Sequence, residues 1–164
     1  MSTAVCSGSF DPITLGHLDI IERAAACFDH VWVCVSPNAE KTNQMFTPEQ
    51  KLLLVQTAVA HLPGVHAELY TGLLADYAVF RQADFIVRGV RSGTDFDAEY
   101  QLALINRSVH AGLETFFLPA SPPWQHVSST MAREMIRYRQ PLALCLPEAI
   151  IPLVLDMTST SKGA

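Results

Sequence analysis

The sequence predicts an α/β protein: a doubly wound sheet of about five parallel strands with helices on both faces. Short apolar runs alternate along the chain with segments of helical periodicity, which indicates strand–helix–strand units. The run at residues 30–36 is apolar nearly throughout, as expected for a strand covered on both faces. No repeat or linker interrupts the pattern. We therefore assign residues 1–157 to one domain and expect residues 158–164 to form a flexible C-terminal tail.

Each element follows from this alternation and from the capping residues. Strands are expected at residues 3–6, 30–36, 65–70, 85–87 and 115–118. Helices are expected at residues 15–28, 48–61, 73–82, 95–110, from 128 onwards, and at 147–155. Thr47 with Gln50 forms a capping box that starts the second helix, and Ser128 caps the fifth. The expected architecture is a single Rossmann-like domain.

Polar side chains follow four of these strands. The first strand leads to Ser9, the second runs toward Lys41, and the fourth ends at Arg88 and Arg91; the fifth leads to Ser128, Ser129 and Thr130. The carboxyl ends of parallel strands open at one edge of the sheet, where ligands of such folds bind. These residues are mostly hydrogen-bond donors, and arginine forks suit phosphate oxygens. The pattern predicts a phosphate-binding edge.

The turn at residues 7–17 is the centre of this prediction. A small-residue turn that delivers a helix N-terminus directs backbone N–H groups and the helix dipole at one place, which favours an anion. Ser9 adds a hydroxyl before the turn, and His17 adds an imidazole in the first helical turn. We interpret the turn as a triphosphate cradle that carries its own catalytic donor.

Composition limits the function classes. The net charge of −5 argues against a general nucleic-acid or anionic-membrane partner. The four cysteines lie outside any metal-type spacing, and we expect Cys6, Cys27 and Cys34 to be reduced core residues. There is no secretory signal pattern and no apolar run of membrane-spanning length. A cytoplasmic protein is expected.

Several well-known site motifs are missing from the chain. It has no G-x-x-x-x-G-K-(S/T), G-x-G-x-x-G, G-x-S-x-G or H-E-x-x-H. Their absence argues against P-loop enzymes, dinucleotide-dependent dehydrogenases, α/β-hydrolases and zincins. No metal-binding residues are predicted.

The turn resembles the (T/H)-x-G-H signature of the nucleotidyltransferase superfamily, through Gly8-Ser9-Phe10-Asp11-Pro12 and Thr14-Leu15-Gly16-His17. Four further segments narrow the resemblance to bacterial phosphopantetheine adenylyltransferases; they are Arg88-Gly89-Val90-Arg91, Asp95-Phe96 with Glu99, Asn106-Arg107, and Val127-Ser128-Ser129-Thr130. The match runs from about residue 5 to residue 155.

The resemblance implies that ATP and 4′-phosphopantetheine react to give 3′-dephospho-coenzyme A and pyrophosphate, with Mg²⁺ as cofactor. It also implies a homohexamer subject to feedback inhibition by coenzyme A. The implied catalytic residues are His17, Ser9, Lys41 and Arg91. The implied acceptor-binding residues are Ser9, Lys41, Leu74 and Arg88. The implied ATP-binding residues are Ser9, Phe10, His17, Gly89, Val90, Arg91, Glu99, Trp124, Gln125, His126, Val127, Ser128, Ser129 and Thr130.

Three departures from the family pattern concern affinity rather than chemistry. The loop after Lys41 is one residue longer than usual, Ala98 stands where many members have tyrosine, and His126 occupies a commonly apolar position. Two alternatives stay open. One is another superfamily enzyme, such as a nicotinamide-mononucleotide adenylyltransferase or a cytidylyltransferase, against which the apolar Leu73-Leu74 pair argues. The other is a nucleotide sensor without turnover, against which Ser9 and His17 argue.

Overall fold

A computed structural model describes residues 1–37 and 43–159. Five strands form one parallel sheet: β1 (Thr3–Gly8), β2 (His30–Val35), β3 (Val65–Leu69), β4 (Phe85–Val90) and β5 (Glu114–Pro119). Their spatial order is β3-β2-β1-β4-β5. This order confirms the predicted doubly wound sheet and places the topological switch between β1 and β4.

Within the described residues, six α-helices and three single 3₁₀ turns accompany the sheet. The helices are α1 (Leu15–Ala25), α2 (Pro48–Val59), α3 (Leu74–Phe80), α4 (Gly93–Val109), α5 (Ser129–Arg137) and α6 (Ile151–Ser159), and the turns are Pro122–Trp124, Leu142–Leu144 and Glu148–Ile150. The capping box at Thr47 and the N-cap at Ser128 are both present, as predicted. The C-terminal helix continues through Ser159, so residues 158 and 159 are helical rather than part of a tail.

Alternate side chains of β1 enter two separate cores, which confirms that helices cover both faces of the sheet. Ala4 and Cys6 belong to a core built with α1, α2, α5 and α6, whereas Val5 packs in a smaller core with Ala75 and Tyr77 of α3. Helix α4 is different, because none of its seventeen residues is buried. The sheet is thus covered unevenly, and α4 lies at the margin of the smaller core.

Two sequence expectations are corrected. The fourth strand was expected to end at Val87, but β4 continues through Arg88 and Gly89 to Val90, because these residues pair with β5. Helix α1 ends at Ala25 rather than residue 28, which leaves Cys27 exposed instead of in the core. The other cysteines are buried, and all four are free thiols. Over residues 1–37 and 43–159, no helix is long and apolar enough to cross a membrane.

Candidate active site

A cleft opens at the switch point, where β1 and β4 cease to pair. Their pairing ends at Cys6 opposite Val87. Beyond this, β1 stays with β2 as far as Gly8, while β4 follows β5 as far as Val90. A cavity of about 410 Å³ occupies the opening. The sheet topology therefore places this cavity at the edge where polar side chains are predicted to gather.

Most of the predicted site residues line this cavity. It contains Ser9, Phe10, His17, Arg88, Gly89, Arg91, Glu99, Trp124, Val127, Ser128, Ser129 and Thr130. Val90, Gln125, His126 and Leu74 are not among its walls, and Leu74 packs instead at the border of the smaller core. Lys41 lies outside the described residues. Gly89 is needed for close approach, since a Cβ there would lie 2.8 Å from Cγ1 of Ile20 in α1.

His17 is held in one tautomer by the start of its own helix. The backbone N–H of Thr14 donates to Nδ1 of His17 at 3.1 Å, and Oγ1 of Thr14 lies 3.0 Å from the same nitrogen. Nδ1 is therefore an acceptor, and the proton of the neutral ring lies on Nε2. Burial, followed by the positive charges of Arg91 and Arg88, lowers the pKa of His17 to about 4. At neutral pH the cavity holds a neutral imidazole with one N–H to donate.

Phe10 positions this ring from the other side. Its φ of 45° lies in the left-handed region, which is unusual for a bulky residue and marks a locally strained turn. The residue is only 3% exposed, and its ring meets the His17 ring edge-on with centroids 5.1 Å apart. The turn thus fixes both the hydrogen bonding and the packing of the imidazole.

Arg88 is bound by two partners across the cleft. Its Nε and Nη2 donate to the two carboxylate oxygens of Glu99 at 2.5 and 2.6 Å, in a bidentate pair between β4 and α4. Its Nη1 donates to the carbonyl oxygen of Ser7 at 2.6 Å and to the Ser7 hydroxyl. Four of the five guanidinium N–H groups are engaged by these contacts. The geometry fixes the plane of the guanidinium and ties Glu99 to the same place.

Arg91 and the N-terminus of α5 form the opposite side. Arg91 donates from Nε to Oδ2 of Asp95 at 3.0 Å and from Nη1 to the carbonyl oxygen of Val127 at 3.4 Å. Ser128 caps α5 by accepting the N–H of Met131. Ser129 donates its hydroxyl to the carbonyl oxygen of Pro12 at 2.9 Å. A helix N-terminus beside an arginine favours an anion.

Sequence reasoning missed four charged residues in the cavity wall. They are Asp11 in the turn, Lys51 in α2, Asp95 in α4 and Arg133 in α5. Lys51 is fully buried on the same face of α2 as Leu54 and Val55. A lysine at the core-facing phase of an amphipathic helix was the available signal, since lysine is almost never fully buried without a partner.

The described carboxylates of the cavity do not form a ready metal site. Asp11, Asp95 and Glu99 are each paired with a cationic side chain. Within residues 1–37 and 43–159, no group of three or more His, Cys, Asp or Glu residues could hold a metal ion. The described carboxylates of the cavity are therefore already engaged by cationic side chains.

Comparison with known proteins gives concordant results. A family model described as cytidylyltransferase-like matches residues 5–135. A phosphopantetheine adenylyltransferase from Corynebacterium diphtheriae is 40% identical over 156 residues, which cover 95% of this chain and 98% of the relative.

A solved structure from Vibrio parahaemolyticus, a candidate nicotinate-nucleotide adenylyltransferase, superposes with a TM-score of 0.70 at 20% identity. That match covers 95% of this chain and 93% of the other, and at such identity it supports the fold alone. The family model and the close relative go further: the chain belongs to the cytidylyltransferase-like family, and within it to the phosphopantetheine adenylyltransferases.

Proposed function

We propose that this protein transfers the adenylyl group of ATP to 4′-phosphopantetheine, giving 3′-dephospho-coenzyme A and pyrophosphate. The observation that carries the reaction class is one cavity in which a neutral His17 meets Arg88, Arg91 and the N-terminus of α5. The choice of acceptor is supported by the relative that is 40% identical over nearly the whole chain.

The proposed chemistry is a direct in-line displacement. A phosphate oxygen of the acceptor attacks the α-phosphorus of ATP, a new P–O–P bond forms, and the bond to the departing pyrophosphate breaks. The acceptor phosphate is already an anion at neutral pH, so the reaction needs no strong general base. Catalysis then depends on positioning and on stabilising charge at the transferring group.

His17 is proposed to donate its Nε2 proton as a hydrogen bond to an oxygen of the α-phosphate, where charge develops in the transition state. Support comes from the Thr14 contacts, which leave Nε2 as the donor, and from the low pKa, which keeps the ring neutral. A neutral donor stabilises the pentavalent transition state without giving up its proton.

The remaining residues are proposed to divide between the two substrates. Arg91, Ser129 and Thr130 would hold the ATP phosphates at the N-terminus of α5, and Ser9 would contact both substrates. Arg88 would receive the acceptor phosphate, together with Lys41. Leu74 would contact the pantetheine arm, although it does not line the described cavity.

We further propose that Mg²⁺ arrives with ATP, held by substrate phosphates and water. The described carboxylates of the cavity are already paired with cations and offer no prepared set of ligands. Mg²⁺ commonly keeps several waters and binds through substrate phosphates, where it neutralises their charge.

A homohexamer, inhibition by coenzyme A and a cytoplasmic location complete the proposal. The unburied helix α4 supports self-association, since Phe96, Tyr100 and Ile105 are all at least 40% exposed. The free thiols are typical of a reducing compartment. Sedimentation analysis would test the hexamer, and product formation with added coenzyme A would test the inhibition.

Pyrophosphate release tests the function itself. ATP would be offered with 4′-phosphopantetheine, with nicotinamide mononucleotide and with nicotinate mononucleotide, and CTP with glycerol 3-phosphate. We expect release only from the first pair. Release from another pair would retain the reaction class and overturn the acceptor. If no pair released pyrophosphate although ATP was bound, a nucleotide sensor would be favoured.

A further inference from the structure

A buried ionic cluster lies beneath the turn that carries His17. The Asp11 side chain is 8% exposed, and Lys51 is fully buried. Nζ of Lys51 lies 3.8 Å from Oδ1 of Asp11, and Nη1 of Arg133 lies 3.6 Å from Oδ2. The proposed mechanism uses none of these three residues. Buried charges persist only when they are paired, so the cluster needs its own explanation.

The Asp11 carboxylate connects the turn to a second segment of the chain. Its oxygens accept the backbone N–H groups of Met45 and Phe46 at 3.0 to 3.2 Å. Lys51 also donates to the side-chain oxygen of Gln44. One carboxylate therefore gathers backbone donors from residues 45 and 46 and a cation from α2.

The same turn is also joined to α5, by two hydrogen bonds to its backbone. Nη1 of Arg133 donates to the carbonyl oxygen of Asp11 at 2.8 Å, and Ser129 donates to that of Pro12 at 2.9 Å. The N-terminus of α5 and the turn before His17 are thus connected through consecutive residues. Asp11 lies at the point where these connections and the buried ion pairs meet.

We propose that Asp11 is a positioning residue for adenylyl transfer, holding the His17 turn and the N-terminus of α5 in the mutual arrangement that one phosphate chain requires. The proposal rests on the function proposed above. The physical reason is that a catalytic donor misplaced by about 1 Å can cost about 100-fold in rate. Asp11 acts through His17 and α5, without touching substrate.

Asp11→Asn tests this with little change in size. The amide can accept in place of only one carboxylate oxygen, and it removes the negative charge that faces Lys51 and Arg133. We expect ATP affinity to stay within about fivefold, and the single-turnover rate per bound ATP to fall about 10- to 100-fold. The matched control is Arg137→Met, which removes an exposed ion pair with Glu134 on the same helix and should behave as wild type.

Lys51→Met is the second variant, with a side chain of similar length. If the buried pair of Asp11 and Lys51 positions the turn, Lys51→Met should slow single turnover in the same way. The double variant Asp11→Asn/Lys51→Met should then be no slower than Asp11→Asn alone, since the two residues act as one unit. This variant also tests the proposal should Asp11→Asn fail to fold.

A structural role alone would lower thermal stability and leave the rate per bound ATP unchanged, and that result would overturn the proposal. A loss of ATP binding in proportion to the loss of rate would also overturn it.

A second measurement, independent of the acceptor, is the change in the ¹⁵N NMR chemical shift of Nε2 of His17 when ATP is added. It should be clearly smaller in Asp11→Asn than in wild type, and an equal shift contradicts the proposal. If the wild type were inactive with 4′-phosphopantetheine but its shift change still exceeded that of Asp11→Asn, the proposed acceptor would be wrong. The positioning role of Asp11 would then still be supported.

Discussion

Thr14 donates its backbone N–H to Nδ1 of His17, while Oγ1 of Thr14 accepts the backbone N–H of His17 at 3.4 Å. The two residues form a reciprocal capping box at the start of α1. The box satisfies orphan donors of the helix and orients the imidazole at the same time. The start of α1 and the orientation of His17, the proposed catalytic donor, thus depend on one local structure.

Thr14→Ala should separate these two roles. It removes the Oγ1 acceptor from a residue that is 1% exposed, and we expect the free energy of unfolding to fall by about 1 kcal/mol. The backbone N–H remains, so the His17 tautomer and the rate per folded enzyme should change little. Denaturant unfolding measures the first effect and initial rates the second. Thr14→Ser keeps the hydroxyl and should recover most of the stability; equal losses in both variants would contradict this account.

The pKa of His17 should rise when a neighbouring cation is removed. Positive charge on Arg91 disfavours the imidazolium, so Arg91→Gln should move the His17 pKa upward from about 4 toward its ordinary value of 6.5. The rise should be partial, because burial is the larger cause. Titration of the ring nitrogens by NMR measures it.

Arg107→Gln is the matched control for that titration, since Arg107 is largely exposed near the end of α4 and pairs with Glu114. It should leave the His17 pKa where it is. An unchanged or lowered pKa in Arg91→Gln would show that Arg91 does not act on the imidazole.

Arg88→Ala should mainly weaken capture of the acceptor. Charge-assisted hydrogen bonds to phosphate are worth about 1.5–3 kcal/mol, so the KM for 4′-phosphopantetheine should rise about tenfold or more. The KM for ATP should change less. Steady-state kinetics with each substrate varied in turn would measure this, with Arg107→Ala as the control. An unchanged acceptor KM would remove Arg88 from the acceptor site.

The sheet and the site edge could both be predicted from local sequence. Strands covered on both faces are apolar throughout, as in β2, and parallel strands place their carboxyl ends at one edge. Hence Ser9, His17 and Arg91 are predicted to lie at the same edge, and all three line the cavity. Caps at Thr47 and Ser128 were equally visible, because a cap depends on three or four adjacent residues.

Pairings between distant elements could not be predicted in the same way. Arg88 and Glu99 were assigned to different substrates, yet the structure pairs them with each other. That contact depends on where α4 lies against β4, which no local pattern specifies. The extension of β4 through Arg88 and Gly89 is similar, since it follows from pairing with β5 rather than from strand propensity. The pairing of Lys51 with Asp11 is a third contact that local sequence does not predict, because it depends on how α2 packs against the turn.

The central claim is that His17 acts on the transition state rather than on binding, and His17→Ala tests it most directly. The measurement is formation of 3′-dephospho-coenzyme A in a single turnover, per molecule of ATP bound, with His61→Ala as the control. His61 lies away from the cavity and pairs with Glu22 at the surface. We predict nearly unchanged ATP affinity in His17→Ala and a rate lower by about 100-fold or more. If ATP affinity and rate fall together, or if the rate per bound ATP matches wild type, His17 is not the transition-state donor.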